Sequence, residues 1–319
     1  NNPNMEIINE SSNKIKSHIP GDNLFEQYKS GKQTLVVGKR KSLKFQTCKP
    51  SANYQLPLVS GCMGRCEYCY LNTQLGDKPF VRVFTNINDV LNRAKEYIEE
   101  RLPQVTIFEG AATSDPIPLE PYTNALKNTI EFIGKEEKGR FRFVTKYNDV
   151  DTLLDAKHNN HTEIRFSINT PTVINSYEHY TASIDKRIEA AVKVANAGYK
   201  IGFIIAPIFI YDNWQKEYKD LIEKGNNFVG SALDNITSEI NLKERSVVVF
   251  NSLGFERDDI ATFDVPEDIE NPAVLDGEEE IICQRIDDGE KAIFFAKGIP
   301  ANGYKSFKII ESTNKEVEN

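Results

Sequence analysis

Apolar and polar positions change rhythm along this chain. Over residues 88–102 they recur at helical spacing, with Val90, Leu91, Ala94, Tyr97 and Ile98 on one side and Asn88 or Asp89 near the start. That spacing predicts an amphipathic helix. Short apolar runs then alternate with helical patterns. Strands are predicted over 105–109, 141–145, 164–169 and 200–207, and helices over 122–133, 149–157, 183–197 and 214–223. Such βα units imply parallel strands with right-handed crossovers. Upstream, 34–37 and 55–59 read as short strands and 23–29 as a short helix. From residue 225 the alternation stops. Strand-like runs follow at 246–251, 261–265, 280–285, 292–296 and 304–310, divided by the turn pairs Asp276-Gly277, Asp288-Gly289 and Asn302-Gly303. This is the pattern of an antiparallel β-sandwich. The expected organisation is a polar arm over 1–30, a partial βα barrel over 31–224 and a β-rich fragment over 225–319, an α/β chain as a whole.

Charge sharpens that division. Residues 225–319 hold 9 Lys and Arg against 20 Asp and Glu, a balance of −11, whereas the first 224 residues hold 30 against 27. A polyanion is attracted to the first part and repelled by the second. No run of 18 apolar residues suggests a membrane span, and the polar first residues do not look like a secretory signal, so the expected compartment is the cytoplasm.

Five cysteines are present, and three of them fall within eight residues, in Ser60-Gly61-Cys62-Met63-Gly64-Arg65-Cys66-Glu67-Tyr68-Cys69-Tyr70. Odd number and clustering argue against a disulfide framework and for metal. Thiolates spaced C-x3-C-x2-C can hold three irons of a [4Fe–4S] cubane and leave the fourth open to a ligand. A structural zinc site normally takes four protein ligands, and no fourth Cys or His stands nearby. A zinc knuckle and three unrelated buried cysteines are the competing readings.

The loop, placed after a strand and ahead of βα units, resembles that of the radical S-adenosylmethionine (SAM) superfamily. Residues 49–79, 140–159, 163–175 and 197–214 are similar to spore photoproduct lyase, a likeness running to about residue 223. The resemblance implies a radical SAM barrel and repair of 5-thyminyl-5,6-dihydrothymine in UV-damaged DNA to two thymines. SAM on the open iron would yield the 5′-deoxyadenosyl radical, so the cofactors are a [4Fe–4S] cluster and SAM. It further implies cluster ligands Cys62, Cys66 and Cys69, radical-relaying tyrosines Tyr68 and Tyr70, and SAM contacts at Ser114, Asp115, Lys146, Ser167 and Ala206. An electron donor must reduce the cluster, and a monomer is expected.

Two departures stand out. The family's hydrogen-donor cysteine falls at Ala112, whose methyl cannot serve as a thiol. Cys48 is the only other thiol of the barrel portion. In addition, the family's last barrel strand and DNA-contacting hairpin are not found. Residues from about 231 instead resemble the β-rich region downstream of the catalytic domain in family 38 α-mannosidases. These departures predict an impaired lyase. A radical SAM enzyme with another substrate and an inactive chimera remain open. For DNA contact the chain offers Lys39-Arg40-Lys41 with Lys44, Lys29 and Lys32.

Overall fold

The computed structural model describes residues 6–10, 15–240, 242, 244–251, 255–301 and 303–312. The chain divides into two compact units, Asn1–Ile222 and Glu223–Asn319.

In the first unit the elements run α1 (Leu24–Lys32), β1 (Leu35–Gly38), β2 (Thr47–Cys48), β3 (Ala52–Gln55), β4 (Val59–Ser60), β5 (Arg65–Cys66), α2 (Leu71–Gln74), β6 (Val81–Phe84) and α3 (Ile87–Glu99). They continue with β7 (Thr106–Glu109), α4 (Glu120–Thr123), α5 (Ala125–Ile133), β8 (Gly139–Thr145), β9 (Thr162–Ile168), α6 (Pro171–Tyr177), β10 (Glu178–His179), α7 (Ile184–Asn196) and β11 (Lys200–Ile205). Helix α8 (Trp214–Glu239) begins here and runs on past Ile222.

The main sheet has the order β11-β9-β8-β7-β3-β2. Its strands are parallel except β2, which pairs antiparallel with β3 at the edge. Burial alternates along β8, as a period of two requires. Phe141 and Phe143 are buried on one face and join Phe108, Ile164 and Phe166 in the core with Val90, Leu91 and Ala94 of α3 and Ala190, Ala191 and Val194 of α7. Each buried phenylalanine contributes about 1.5–3 kcal/mol by leaving water. Arg142 and Arg165 alternate with these apolar positions, and both reach the buried Glu109 carboxylate at the C-terminal end of β7. Polar chemistry therefore gathers on the face turned away from the helices. Two smaller sheets complete the unit, β1-β6-β4 and the pair β5-β10.

Several expectations need correction. The run 55–59 is not one strand: it ends β3 and begins β4, with Pro57 between them. The helix expected over 122–133 is broken at Asn124, whose backbone is left-handed (φ 50°). Residues 149–157 form only a 3-10 turn at Asp151–Leu153, because their hydrogen bonds close over three residues, as in Leu153 N–H to Val150 and Ala156 N–H to Leu153. The helix predicted over 214–223 reaches Glu239. Strands β6 and β10 and helix α6 had no counterpart in the sequence reading.

In the second unit β12 (Ser246–Asn251), β13 (Arg257–Asp264), β14 (Pro272–Asp276), β15 (Glu279–Ile282), β16 (Gln284–Ile286), β17 (Lys291–Ile299) and β18 (Gly303–Glu311) form two antiparallel sheets. Their orders are β12-β18-β14-β15 and β13-β17-β16. Phe263, Phe294 and Phe307 fill its core, the last two with ring centroids 4.9 Å apart. The run 280–285 is interrupted at Cys283, and β14 was not expected. Gly277 makes the β14–β15 turn at φ 65°, where a side chain would be strained. Asn302 of the third turn pair lies outside the described residues. The chain as a whole is a mixed α/β protein. Among the described residues no helix is long and apolar enough to cross a membrane.

Candidate active site

Gly61 opens the cysteine segment immediately after β4. Its N–H donates to the Thr113 carbonyl at 3.0 Å, and it forms an isolated parallel bridge with Ser114. A side chain at Gly61 would collide with the Phe80 carbonyl at 2.4 Å, and its φ of +84° also favours glycine. The segment is thus fastened to the loop after β7 before the first cysteine is reached.

Lys32, at the end of α1, holds the segment from the other side. It is 7% exposed, and its ammonium donates to the carbonyls of Cys62 (2.9 Å) and Gly64 (2.8 Å). Burial lowers its pKa, while Cys62, Cys69 and Cys66 push it back up. All three cysteines also bear on Tyr28, whose hydroxyl donates to Asn72, whose amide in turn donates to the Cys66 carbonyl. Cys62, Cys66 and Cys69 therefore share one neighbourhood. Cys66 is anchored further by β5, where it stands opposite Glu178 of β10.

Burial pushes the Cys62 thiol up to about 12 and the Cys66 thiol to about 11. A metal must displace those protons to bind. The described residues contain no group of three His, Cys, Asp or Glu placed to hold a single metal ion. A cubane makes a different demand, because each thiolate takes its own iron and the three sulfurs stand farther apart. The surroundings suit such a group. The Gly64 N–H donates to Cys62 Sγ at 3.3 Å. A Cβ at Gly64 would meet Tyr147 Oη at 3.1 Å, Thr181 Cγ2 at 3.3 Å and Cys62 Sγ at 3.5 Å. The Tyr147 hydroxyl is buried beside the Cys62 sulfur. It lies close enough to Cys62 that the thiolate, after burial, raises its pKa.

Lys146, one residue beyond β8, is the hub of the adjoining polar network. Its ammonium donates to Glu178 Oε1 (2.7 Å), Tyr68 Oη (2.8 Å) and Ser167 Oγ (2.9 Å). The Tyr68 hydroxyl donates to the same Glu178 oxygen. Arg187 of α7 donates to the other oxygen at 2.6 Å, and also to the Ser167 carbonyl at 2.8 Å. Burial alone would raise the Glu178 pKa, but Arg187 and Lys146 hold the carboxyl below its ordinary value. Burial and this hydrogen bond push the Tyr68 phenol well above the usual range.

Asp115 is buried beside this network. It accepts from Thr145 Oγ1 (2.9 Å), Lys146 N–H (2.9 Å) and Ile117 N–H (3.3 Å), and burial raises its carboxyl to about 6. Tyr70, half out in solvent, donates to the Ala112 carbonyl. Glu178 thus joins Tyr68 and Lys146 directly and stands opposite Cys66 in the strand pair, Lys146 brings in Ser167, and Gly61 links Cys62 to Ser114. Ala206 is exposed at the end of β11, one residue before the Pro207 carbonyl that Asn169 holds at 2.9 Å.

Cys48 ends β2, and its thiol feels Glu109, Arg142 and Arg165; burial and the Glu109 carboxylate raise its pKa. Tyr70 in turn feels both Cys69 and Cys48. Cys48 therefore lies within electrostatic reach of Tyr70, whose hydroxyl meets the Ala112 carbonyl.

Sequence reasoning missed Glu178, Arg187, Thr145 and Tyr147, and it offered Lys32 for DNA contact, whereas the ammonium is buried and spent on the Cys62 and Gly64 carbonyls. Glu178 sits on a two-residue strand with no periodic signal. Arg187 occupies a core-facing position of α7, where a charged residue among Ile184, Ala190, Ala191 and Val194 was the available clue.

Comparison with known proteins agrees with this picture. The family model described as Spore photoproduct lyase matches residues 1–246. The spore photoproduct lyase of Clostridium acetobutylicum is 56% identical over 229 residues, covering 72% of this chain and 68% of that protein. That of Bacillus subtilis is 49% identical over 223 residues, covering 70% and 65%. One similar solved structure is a spore photoproduct lyase with a cysteine-to-alanine and a serine-to-cysteine change, bound to AdoMet and dinucleoside spore photoproduct. It is 52% identical with a TM-score of 0.64, covering 66% of this chain and 62% of that one. Another, complexed with dinucleoside spore photoproduct, is 51% identical with the same TM-score and coverage. The chain therefore spans roughly two thirds of the curated relatives and somewhat less of the solved chains.

Proposed function

Because the chain belongs to the spore photoproduct lyase family, we propose that it is a radical SAM DNA-repair lyase that returns the spore photoproduct in UV-damaged DNA to two thymines. The observation that carries this reading is the register of β5 on β10. It sets Cys66 opposite Glu178, and so joins the cysteine segment to the Lys146 ammonium. Cys62, Cys66 and Cys69 would hold the [4Fe–4S] cluster. When bound, cluster and SAM supply the radical that abstracts hydrogen from the lesion. Lys146, Ser167, Asp115 and Ser114 line the place for SAM, with Ala206 as an outlying backbone contact. The Lys146 cation suits the SAM carboxylate through charge-assisted hydrogen bonding.

Hydrogen return is assigned to Cys48. A hydrogen atom comes from S–H rather than thiolate, and both burial and Glu109 keep this thiol protonated. Donation leaves a sulfur radical on Cys48 and a closed-shell thymine. Tyr70 and Tyr68 would then relay the radical from Cys48 back toward SAM, the hydrogen atom that restores the thiol and each phenol in turn being supplied by 5′-deoxyadenosine. One solved relative that binds photoproduct combines loss of a cysteine with gain of another in place of serine. This chain combines Ala112 with Cys48 in the same manner.

The six-stranded sheet is read as a partial radical SAM barrel. The second unit is read as a sandwich-like accessory domain similar to the region downstream of the family 38 α-mannosidase catalytic domain. A one-electron donor is required, and a monomer acting in the cytoplasm completes the proposal.

The test is anaerobic reconstitution, reduction and incubation with SAM and dinucleoside photoproduct, followed by chromatography. Thymine release supports the reading. SAM cleavage without thymine would assign the chain to another substrate, and a protein that takes up no iron would remove the radical mechanism altogether.

A further inference from the structure

A cavity of about 450 Å³ opens on the flank of the cysteine segment, beside the small sheet β1-β6-β4. Its wall carries Lys16, Lys39, Arg40, Lys41, Lys78 and Arg82, and no carboxylate lines it. Ser60, two residues ahead of Cys62, is part of the same wall. Burial lowers the Arg40 pKa, the mark of a cation without a compensating anion.

The hydrogen bonds of these cations leave their charge unspent. Lys16 donates to the Leu75 carbonyl at 3.1 Å and Lys78 to the Ile19 carbonyl at 2.8 Å, both neutral acceptors. The Nε atoms of Arg40 and Arg82 are buried with no hydrogen-bond partner. Each guanidinium instead lies over a phenylalanine, Arg40 over Phe84 at 5.4 Å and Arg82 over Phe80 at 5.1 Å. Stacking fixes the planes of the two forks while their edges keep donors to spare. Planar, pre-oriented guanidinium edges match phosphate oxygens.

We propose that this cavity seats backbone phosphates of duplex DNA, an assignment that rests on the repair reading above. The cations suit either a free polyphosphate or a DNA backbone. Charge that continues along the surface past the cavity favours the backbone over a compact free anion. The exposed Lys39 and Lys41 extend the charge beyond the cavity mouth, as a continuous strand requires.

The experiment measures binding of fluorescent undamaged duplex to the full chain by anisotropy over a range of salt. Lys39→Gln, Lys41→Gln and Arg82→Gln are combined in one variant. A control of equal charge change combines Lys95→Gln, Lys135→Gln and Lys138→Gln. The cavity variant is expected to bind about tenfold more weakly near 0.1 M salt. Its salt slope should be shallower by up to about 2.7, since each of three phosphate contacts contributes about 0.9. The Lys39→Gln, Lys41→Gln pair alone, at exposed positions, gives part of the loss even if the Arg82 change disturbs folding. Unchanged affinity in the cavity variant, or an equal loss in the control, overturns the proposal. So does tight binding of inorganic triphosphate that the cavity variant abolishes while its duplex affinity stays intact. Binding needs no catalysis, so the two readings fail separately. A wild-type chain that releases no thymine yet binds DNA through the cavity sinks repair alone. One that repairs photoproduct with cavity-independent binding sinks the cavity alone.

Discussion

Arg187 and Glu178 form an ion pair with neither side chain exposed, Nη2 lying 2.6 Å from Oε2. Breaking one side of such a pair strands the other charge in the interior. Arg187→Ala is therefore expected to cost about 3–5 kcal/mol, measured by urea unfolding at neutral pH. Glu178 adds a pH signature. Its folded pKa lies below the unfolded value, so its stabilisation is complete above the unfolded carboxylate range and fades as pH falls through the folded value. Unfolding free energies followed from pH 7 into the acid range should decline less steeply in Glu178→Gln than in the parent. Parallel curves would show that this carboxylate has no such role.

Cys48 and Ala112 make opposite predictions. Cys48→Ala should retain SAM cleavage and lose thymine formation by about tenfold or more, a loss confined to hydrogen return. Ala112→Cys supplies a second thiol and should restore repair in the Cys48→Ala background. Both are read by chromatography of dinucleoside photoproduct reactions. If Cys48→Ala repairs at the parent rate, the donor lies elsewhere.

Tyr68 and Tyr70 differ in what else they hold. Tyr70 donates to the Ala112 carbonyl, whereas Tyr68 touches both Lys146 and Glu178. Phenylalanine at either position should leave iron content intact and raise the SAM consumed per lesion repaired. Tyr68→Phe should also weaken SAM binding, since Lys146 loses one partner. Equilibrium dialysis of SAM, alongside the ratio of 5′-deoxyadenosine to thymine, separates these effects.

Lys32 is predicted to govern cluster assembly rather than chemistry. Lys32→Met leaves the Cys62 and Gly64 carbonyls without their buried donor, a loss of about 1–3 kcal/mol. Reconstituted protein should contain less iron and lose its visible absorption faster in air. Normal iron content with normal air stability would place the lysine outside cluster assembly.

The sequence disclosed those features that repeat or carry chemistry. Periodicity located α3, α7 and the four strands β7, β8, β9 and β11, because each buries one face against a common core. Spacing located the three cysteines. The same reasoning failed where structure comes from contacts distant in sequence. Strand β10 is two residues long and exists because Glu178 pairs with Cys66, more than a hundred positions earlier. Lys32 looks like an ordinary surface lysine in the chain, yet it is buried by the carbonyls it binds. The break at Asn124 reflects Glu120, whose carboxylate caps the Leu126 and Lys127 N–H groups and turns the chain between α4 and α5.

The loop following β7 is sewn to the cysteine segment at Ala112, Thr113 and Ser114, through Tyr70 and Gly61. Three consecutive stitches fix spacing, so an insertion or deletion here would drag the three cysteines out of place. Exchanging one side chain for another at constant length is expected to disturb these backbone stitches less than any change of length. On the proposed reading, moving the donor thiol from position 112 to Cys48 on β2 leaves this stitched frame untouched.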